Sequence, residues 1–571
     1  MDSSADGALG TSPGACTLRA AIESANTDTA FDACASGSPG LDEIVFDPSL
    51  AESTITLAEG QLEITDDLSI TGPVTDDAGG IVIDGNAQSR LLFIEGATAS
   101  EFAVDLMAVT LTNGLESGSE GGAVHVNFAD LNLDHVTISD SATEDASSSA
   151  GGMIVRNGNL SLTHSAVIRN STDRHIGGLW VPDGNLDLIN STISDNSAGS
   201  SVGGAALGSD VSGNGSLYMI GSTVSGNSDR SDAGGLFIST GTGQTTTILD
   251  SNFSDNTTID GGGGALSILC PDVEITNVVV TGNSSTSGSS TGGGGVWLRS
   301  GNMILTDLTI EGNWAARGGG GLWVQGTNLT LNDSRIINNS ATGNHGGDES
   351  GGGGLLLLFA DATINNTTIS GNSNESTDHG VRGGGIAAVS ADLLLHNSTV
   401  SGNSNFSNNE GGGIHLSDGS NAALVHTTIA NNTAASGADG IDVAPPSDFV
   451  SESQLSLDNS LIVQAEVGET ACNAQANSHS NTLATDNSCT GTATGLANIA
   501  LQPLADNGGP TLTHALGADS VAIDAAGDCG ADFSIDLDQR GIPRPGPGSS
   551  ACDIGAFEFF IDGVFADRFE N

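Results

Sequence analysis

The sequence contains no lysine: all 13 of its cationic residues are arginines, set against 69 Asp and Glu, for a formal net charge of −56. Without Lys there is no Schiff base, no P-loop and no Lys general base. So little positive charge excludes a nucleic-acid partner, which needs a basic stripe to neutralise phosphates. Anionic polymers and membranes are disfavoured for the same reason, unless a metal ion bridges the like charges. No apolar run approaches the roughly 18 residues that a membrane helix needs, so no transmembrane segment is expected. Met1 leads straight into the polar MDSSADGALG without a signal peptide, as expected of a mature chain that has lost its leader. No C-x-x-C is present, which turns the 7 Cys away from metal binding. Aromatics are few, and the one Tyr, Tyr218, falls in what reads as a core-type strand.

Glycine, by contrast, is abundant. The 82 Gly of the 571 residues would each cost a helix about 1 kcal/mol, which excludes a helical protein. A hydrophobic fraction of 37% excludes a disordered acidic chain. From about residue 120 to 445 one phrase recurs: a Gly-rich step, an apolar alternation, then a variant of S-T-I-S-G-N. The Gly step reads GGLWV at 177–181, GGLFI at 234–238, GGVWL at 294–298, GGLWV at 320–324 and GGIHL at 412–416, with a spacing of 26 to 33 residues. Three short strands per unit, separated by turn residues, indicate a solenoid. The expected fold is all-β, a right-handed parallel β-helix of 12 or more coils. Each strand pairs with its copy in the next coil, about 4.8 Å away.

Alternation gives the register of the first strand. Leu179 and Val181, Leu236 and Ile238, Val296 and Leu298, Leu322 and Val324, and Ile414 and Leu416 point inward. The residues between them form an outward column that includes His125, Trp180, Phe237, Trp297, Trp323, His415 and Asp442. Two further polar columns read as structural. Asn170, Asn196, Asn227, Asn256, Asn283, Asn313, Asn339, Asn372, Asn403 and Asn432 suggest a stacked Asn ladder. Six residues earlier, His135, His164, Asn190, Gly221, Asp250 and their later counterparts are residue types that tolerate positive φ, so a left-handed turn is expected there.

The cysteines fall in local pairs near the two ends, Cys16/Cys34, Cys472/Cys489 and Cys529/Cys552, with Cys270 alone in the middle. This fits disulfides that staple terminal caps in an oxidising compartment, although spacing alone leaves the connectivity open. An open solenoid exposes unpaired strand edges, so both ends need covers. The expected organisation is an N-terminal cap over 1–60, the β-helix over 61–450, a C-terminal cap over 451–558 and a tail over 559–571.

CTLRAAIESAN (16–26), read as a short amphipathic capping helix, begins an N-terminal stretch that continues with IVFDPSLAESTITL (44–57) and LEITDDLSITGPV (62–74). It resembles the CSLREA-type N-terminal motif of exported bacterial β-helix proteins. Cys16, Leu18, Arg19, Ala21 and Ile22 match, while Thr17 and Ala20 stand where the motif has Ser and Glu. PLADNGGPTLTHAL (503–516), AIDAAGDC (522–529), DQRGIPRP (538–545) and CDIGAFE (552–558) resemble the choice-of-anchor Q domain. The final FADRFEN is similar to a short F-x-D-G-F-E tail of exported proteins, with Arg568 in place of the Gly. The resemblance implies an extracellular or surface-displayed β-helix protein without an assigned reaction.

Three functions remain open at this level. The first is an adhesin-like surface protein that binds a glycan, neutral rather than anionic, on the aromatic column Trp180, Phe237, Trp297 and Trp323, with Arg317 nearby. The second is a polysaccharide hydrolase or lyase using two charged loops. One brings His345, Asp348 and Glu349; the other brings Glu375, Asp378, His379 and Arg382. The polygalacturonase blocks are absent, and a Lys/Arg lyase pair cannot form. The third is a structural rod without a ligand. No cofactor is required. Calcium is an expectation from charge density, with Asp524, Asp538 and Asp553 as candidate ligands; Asp524, Asp538, Arg540, Arg544 and Asp553 also suit an Arg–carboxylate network.

Overall fold

The structure is a computed structural model that describes residues 1–73, 80–98, 101–144, 149–208, 213–286, 292–342, 351–375, 382–406, 410–445, 452–464, 469–527, 529, 536–546, 549 and 551–560. The chain forms two compact units, Met1–Glu274 with Gly282–Thr286, and Ile275–Thr281 with Ser287–Asn571. Each is a stack of parallel β-helix coils, and α-helix is confined to two short segments among the described residues, with one 3-10 turn at Pro48–Leu50.

In the first unit, the Gly step leads into a ladder of strands Leu62–Ile64, Leu92–Glu95, Val124–Asn127, Met153–Arg156, Leu179–Val181 and onward. Every neighbouring pair is parallel and in register. A second ladder begins earlier, at Asp42–Val45 paired with Leu68–Thr71, inside the segment expected to be cap. It turns directly into a third through the left-handed column, where His135, His164, Asn190 and Asp250 have φ of 54°, 47°, 49° and 48°. A second left-handed column, not foreseen, runs through Asp140, Arg169 and Asp195, just before the Asn ladder. After the ladder comes a fourth strand, only two or three residues long, as at Ser171–Thr172 and Ser197–Ala198. A coil therefore holds four strands rather than three.

The Asn ladder is continuous within each unit. Asn170 Nδ2 donates to Asn196 Oδ1, and the chain of amides passes through Asn227 and Asn256 to Asn283. In the second unit it runs from Asn313 through Asn339, Asn372 and Asn403 to Asn432. A Ser/Thr ladder lies parallel to it, in which the Ser165, Ser191, Ser222 and Ser251 hydroxyls each accept from a backbone N–H of the preceding coil. Side chains thus satisfy the backbone groups that the corners release from the sheets. The Gly step exists because coil must sit on coil there: a Cβ at Gly178 would fall 2.4 Å from Gly204 O and 3.1 Å from Asn196 Cγ.

The N-terminal helix Leu18–Thr27 forms as the sequence suggests. Thr17 caps it by accepting from Ala20 N, and its buried face is Leu18, Ala20, Ile22, Ser24 and Ala25. Arg19 holds the preceding strap through Asp6 at 2.8 Å and the Gly60 and Gln61 carbonyls. All three disulfides join the local pairs, Cys16–Cys34, Cys472–Cys489 and Cys529–Cys552, and Cys270 is free and buried.

In the second unit the C-terminal segment reaches along the flank of the coils. Gln539 exchanges hydrogen bonds with Thr368 and Thr399, Ser401 Oγ is 2.8 Å from His514 Nε2, and Ala556 N donates to Thr428 Oγ1. Threonines and serines on the outward side of three successive strands are consequently buried. Ile499, Leu516, Ile554 and Phe557 form an apolar cluster with Ala430, Leu461 and Val463 of the last coils. The segment expected to close an end is also a lateral strap.

Candidate binding groove

The aromatic column is not an open face. Its register is as expected, with Trp297 paired to Trp323, but Trp323 is 0% and Trp297 8% exposed. Alternation places these residues outside the sheet; it says nothing of what lies over the sheet. The chain returning from the fourth strand does so, and in the first unit Ala150, Ile176, Val202 and Ala233 pack on Ile154 and Ala206, with Trp180 and Phe237 against the same cluster. Trp180 is part-buried, and its Nε1 donates to Gly208 O at 3.0 Å. Arg317 lies over Trp323, 5.9 Å from the ring centroid, and Gly319 approaches so closely that a Cβ there would be 2.9 Å from Trp323 Cβ. Of the five residues expected to bind a glycan, Trp297 and Trp323 are packed into the coils, and Trp180, Phe237 and Arg317 are half-buried against the coils. Tyr218 is the reverse case: it points outward between Leu217 and Met219 and is 40% exposed.

Of the charged-loop candidates, His345, Asp348, Glu349, Asp378 and His379 lie outside the described residues. Glu375 is exposed and accepts from Ser373 Oγ, whereas Arg382 is part-buried, with Nη1 3.4 Å from His415 Nε2. The candidate calcium residues serve the C-terminal strap. Asp538 accepts from Arg540 Nε and Nη2 and from the Ile542 and Glu558 amides. Asp553 accepts from the Asp524 and Phe559 amides, and Asp524 from the Ser549 hydroxyl. Beside them Arg544 and Glu558 form a fully buried pair at 2.9 Å. Burial pushes the Asp553 and Glu558 carboxyls up, against the pull of Arg544. Of the three aspartates, Asp538 is paired with Arg540, while Asp553 and Asp524 are held by amide and hydroxyl donors.

What does stand open is a groove of about 740 Å³ in the second unit, on the outward side of the second ladder. Its floor is one register column, Thr330, Thr363, Leu394, Ala423, Ser456 and Ser478. At one rung per coil these six span about 24 Å. Its edge is the neighbouring outward column, Asn328, Asp361, Asp392, Asn421 and Gln454. Leu329, Leu331, Leu393 and Leu395 anchor the same strands from inside. Asn421 Nδ2 donates to Asp392 Oδ1 at 2.7 Å, so the edge is partly braced. Four hydroxyl side chains with Leu394 and Ala423 on the floor, and amide and carboxylate groups along the edge, give a shallow channel that runs along the coil axis. On the third outward column His396 is pushed by burial toward the neutral form.

No family model matches the chain, and no curated protein matches it by sequence. Among solved structures the chain is similar to the A-module of the Azotobacter vinelandii mannuronan C-5 epimerase AlgE6, at 15% identity over 66% of this chain and 92% of that one, with a TM-score of 0.27. It is also similar to the pectate lyase Pel9A, at 12% identity over 90% of this chain and 87% of that one, with a TM-score of 0.22. The chain is a parallel β-helix protein on the evidence of its own ladders.

Proposed function

We propose that the protein is an extracellular β-helix protein that binds an extended, neutral glycan along the groove of its second unit. The open channel lined by Asn328, Asp361, Asp392, Asn421 and the Thr/Ser floor carries this reading. A linear polymer can lie along a column that repeats once per coil, and its hydroxyls can exchange hydrogen bonds with each rung. Asp361 and Asp392 on the edge turn away a polyuronate, in keeping with the net charge of −56. Three disulfides support an oxidising compartment, and no helix among the described residues is long and apolar enough to cross a membrane. The end motifs described above support export of the same kind.

The test is affinity electrophoresis and calorimetry with β-glucan, xylan and galactomannan, with alginate and polygalacturonate as anionic controls. The expected result is retention on a neutral polymer that Asp392→Ala with Asn421→Ala weakens at least tenfold, about 1.4 kcal/mol. Retention unchanged by that variant, or retention only on the anionic polymers, overturns the groove reading. Retention on none of them leaves a structural rod. Asp361 and Asp392, neighbours on adjacent rungs, are the observation that keeps hydrolysis as the second reading, and new reducing ends in the same incubations would establish it.

A further inference from the structure

One phrase, Glu-Gly-Gly-x-x-His, occurs at Glu120–His125 and again at Glu410–His415. In both places the His takes the outward position of the first ladder. In the first copy the Glu is compensated: Arg156, from the next coil, grips Glu120 through two bonds of 2.7 Å. His125 is in register with the apolar Ile154. The second copy departs from this at the next coil. His415 is in register with Asp442, and where Arg156 follows Ile154 by two residues, Ala444 follows Asp442.

The second copy therefore concentrates ligand-type groups. His415 and Asp442 are both 0% exposed. His415 Nδ1 lies 2.9 Å from Asp442 Oδ2, near enough for charge to act but without the alignment of a hydrogen bond. Both Asp442 oxygens and His415 Nδ1 lack a hydrogen-bond partner among the described residues. Glu410 brings a third ligand atom, all three lying within 4.8 Å of one another. A buried carboxylate oxygen left without a donor, as Asp442 Oδ1 is among the described residues, is strongly disfavoured. Two glycines in left-handed conformation close the backbone over the group. Gly411 and Gly437 have φ of 79° and 75°, and a Cβ at Gly437 would stand 3.0 Å from Asp442 Oδ1 and 3.0 Å from Glu410 Cγ.

We propose that Glu410, His415 and Asp442 bind a divalent transition-metal ion through two carboxylates and the His415 Nδ1. Imidazole selects the zinc class over calcium or magnesium. Glu410, the partly exposed member, marks the route of entry. Arg382, facing His415 Nε2 at 3.4 Å, is the competing cation. Coordination at Nδ1 leaves the ring proton on Nε2, so the part-buried Arg382 turns from the ring edge toward solvent as the metal arrives.

The experiment is calorimetry of Zn²⁺ into the chelator-treated full chain, with Co²⁺ absorption in the visible as a second readout. Asp134, His135 and His164 form another, exposed group of metal-ligand type, so the measurement is made in a His164→Ala background. The expected result is one Zn²⁺ per chain, a rise in the unfolding midpoint on adding Zn²⁺, at least tenfold weaker binding in Asp442→Asn, and at least threefold tighter binding in Arg382→Ala. Far-UV circular dichroism of the metal-free variants separates lost binding from lost folding. No stoichiometric Zn²⁺ in either the His164→Ala chain or its Arg382→Ala derivative overturns the proposal. Binding that survives both Asp442→Asn and His415→Gln overturns it equally.

Discussion

Removing one amide from the interior ladder, Asn372→Ala, tests the account of what holds the coils together. Asn372 is 0% exposed. Its Nδ2 donates to Ile336 O and to Asn403 Oδ1, each at 2.9 Å. Its Oδ1 accepts from Asn339 N at 2.9 Å and Asn339 Nδ2 at 3.0 Å. In the variant Asn403 Oδ1 keeps the Asn372 backbone N–H, and Asn339 Nδ2 keeps Ile310 O. The Asn339 backbone N–H and the second Asn339 Nδ2 hydrogen lose their partners, and Ile336 O keeps only its ladder donor from the next coil. At roughly 1–3 kcal/mol for each buried group left unsatisfied, and with some relief from an entering water, the expected cost is about 3–5 kcal/mol. Asn372→Asp should cost at least as much, since a second carboxylate oxygen would face Ile336 O and Asn403 Oδ1. The double variant Asn339→Ala/Asn372→Ala should cost less than the sum of the singles, because the Asn339 Nδ2–Asn372 Oδ1 hydrogen bond is lost in both singles.

The assay is urea unfolding followed by circular dichroism, with amide exchange at Ile336–Asn339 and Asn372–Asn374 to report local opening, because solenoids need not unfold in one step. The exposed Asn328→Ala serves as control. A loss below 1 kcal/mol together with unchanged exchange at Asn339 would refute the claim that the amide ladder ties coil to coil.

Further expectations concern titration, charge and cross-links. Burial pushes His426 down to about 3 from an ordinary 6.5; between these values the unfolded chain binds the extra proton, so stability rises with pH. His426→Asn, which keeps the left-handed turn, should flatten the acid limb between pH 5 and 4 by about 1.4 kcal/mol per pH unit. Asp229 runs the other way: burial raises it from 3.8 to about 8, the folded state holds the extra proton across that window, and stability falls as pH rises through it. Asp229→Asn should therefore raise the thermal midpoint at pH 8 and leave it nearly unchanged at pH 4. Replacing Cys472 and Cys489 by Ser frees a loop of sequence separation 17 and should destabilise the last coils by about 3 kcal/mol, read as faster amide exchange at Leu461–Val463. Added NaCl should raise the midpoint of the wild type by screening a net charge of −56.

Much of the scaffold was legible because a repeat prints each constraint many times. The left-handed turn is visible as His135, His164, Asn190, Gly221 and Asp250 at one position, since only such residues tolerate the backbone there. The amide ladder is visible as an invariant Asn at the close of each unit. The same alternation that sets the first strand's register holds for N-L-T-L-N at 328–332 and D-L-L-L-H at 392–396, whose outward residues line the groove's floor and edge. The fourth strand leaves no signature in the sequence because pairs such as Ser171–Thr172 carry no hydrophobic alternation.

Local pattern by itself determined the parallel β-helix, its coil length, the inward residues, the two polar columns and the capping helix after Thr17; it grouped six cysteines near the two ends but left their connectivity open. These depend on contacts that recur at one spacing or lie close along the chain. Only the tertiary structure decided which outward surfaces stay wet. Trp323 and Asp442 are outward by register and buried in fact, because the return segment of each coil and its Gly step lie over that sheet. Thr368 and Thr399 are covered by a segment 140 or more residues away in sequence. Among the described residues no such segment covers the column from Thr330 to Ser456. Alternation assigns a side chain to one side of its sheet; the path of the rest of the chain determines whether that side meets water, a ligand or more protein.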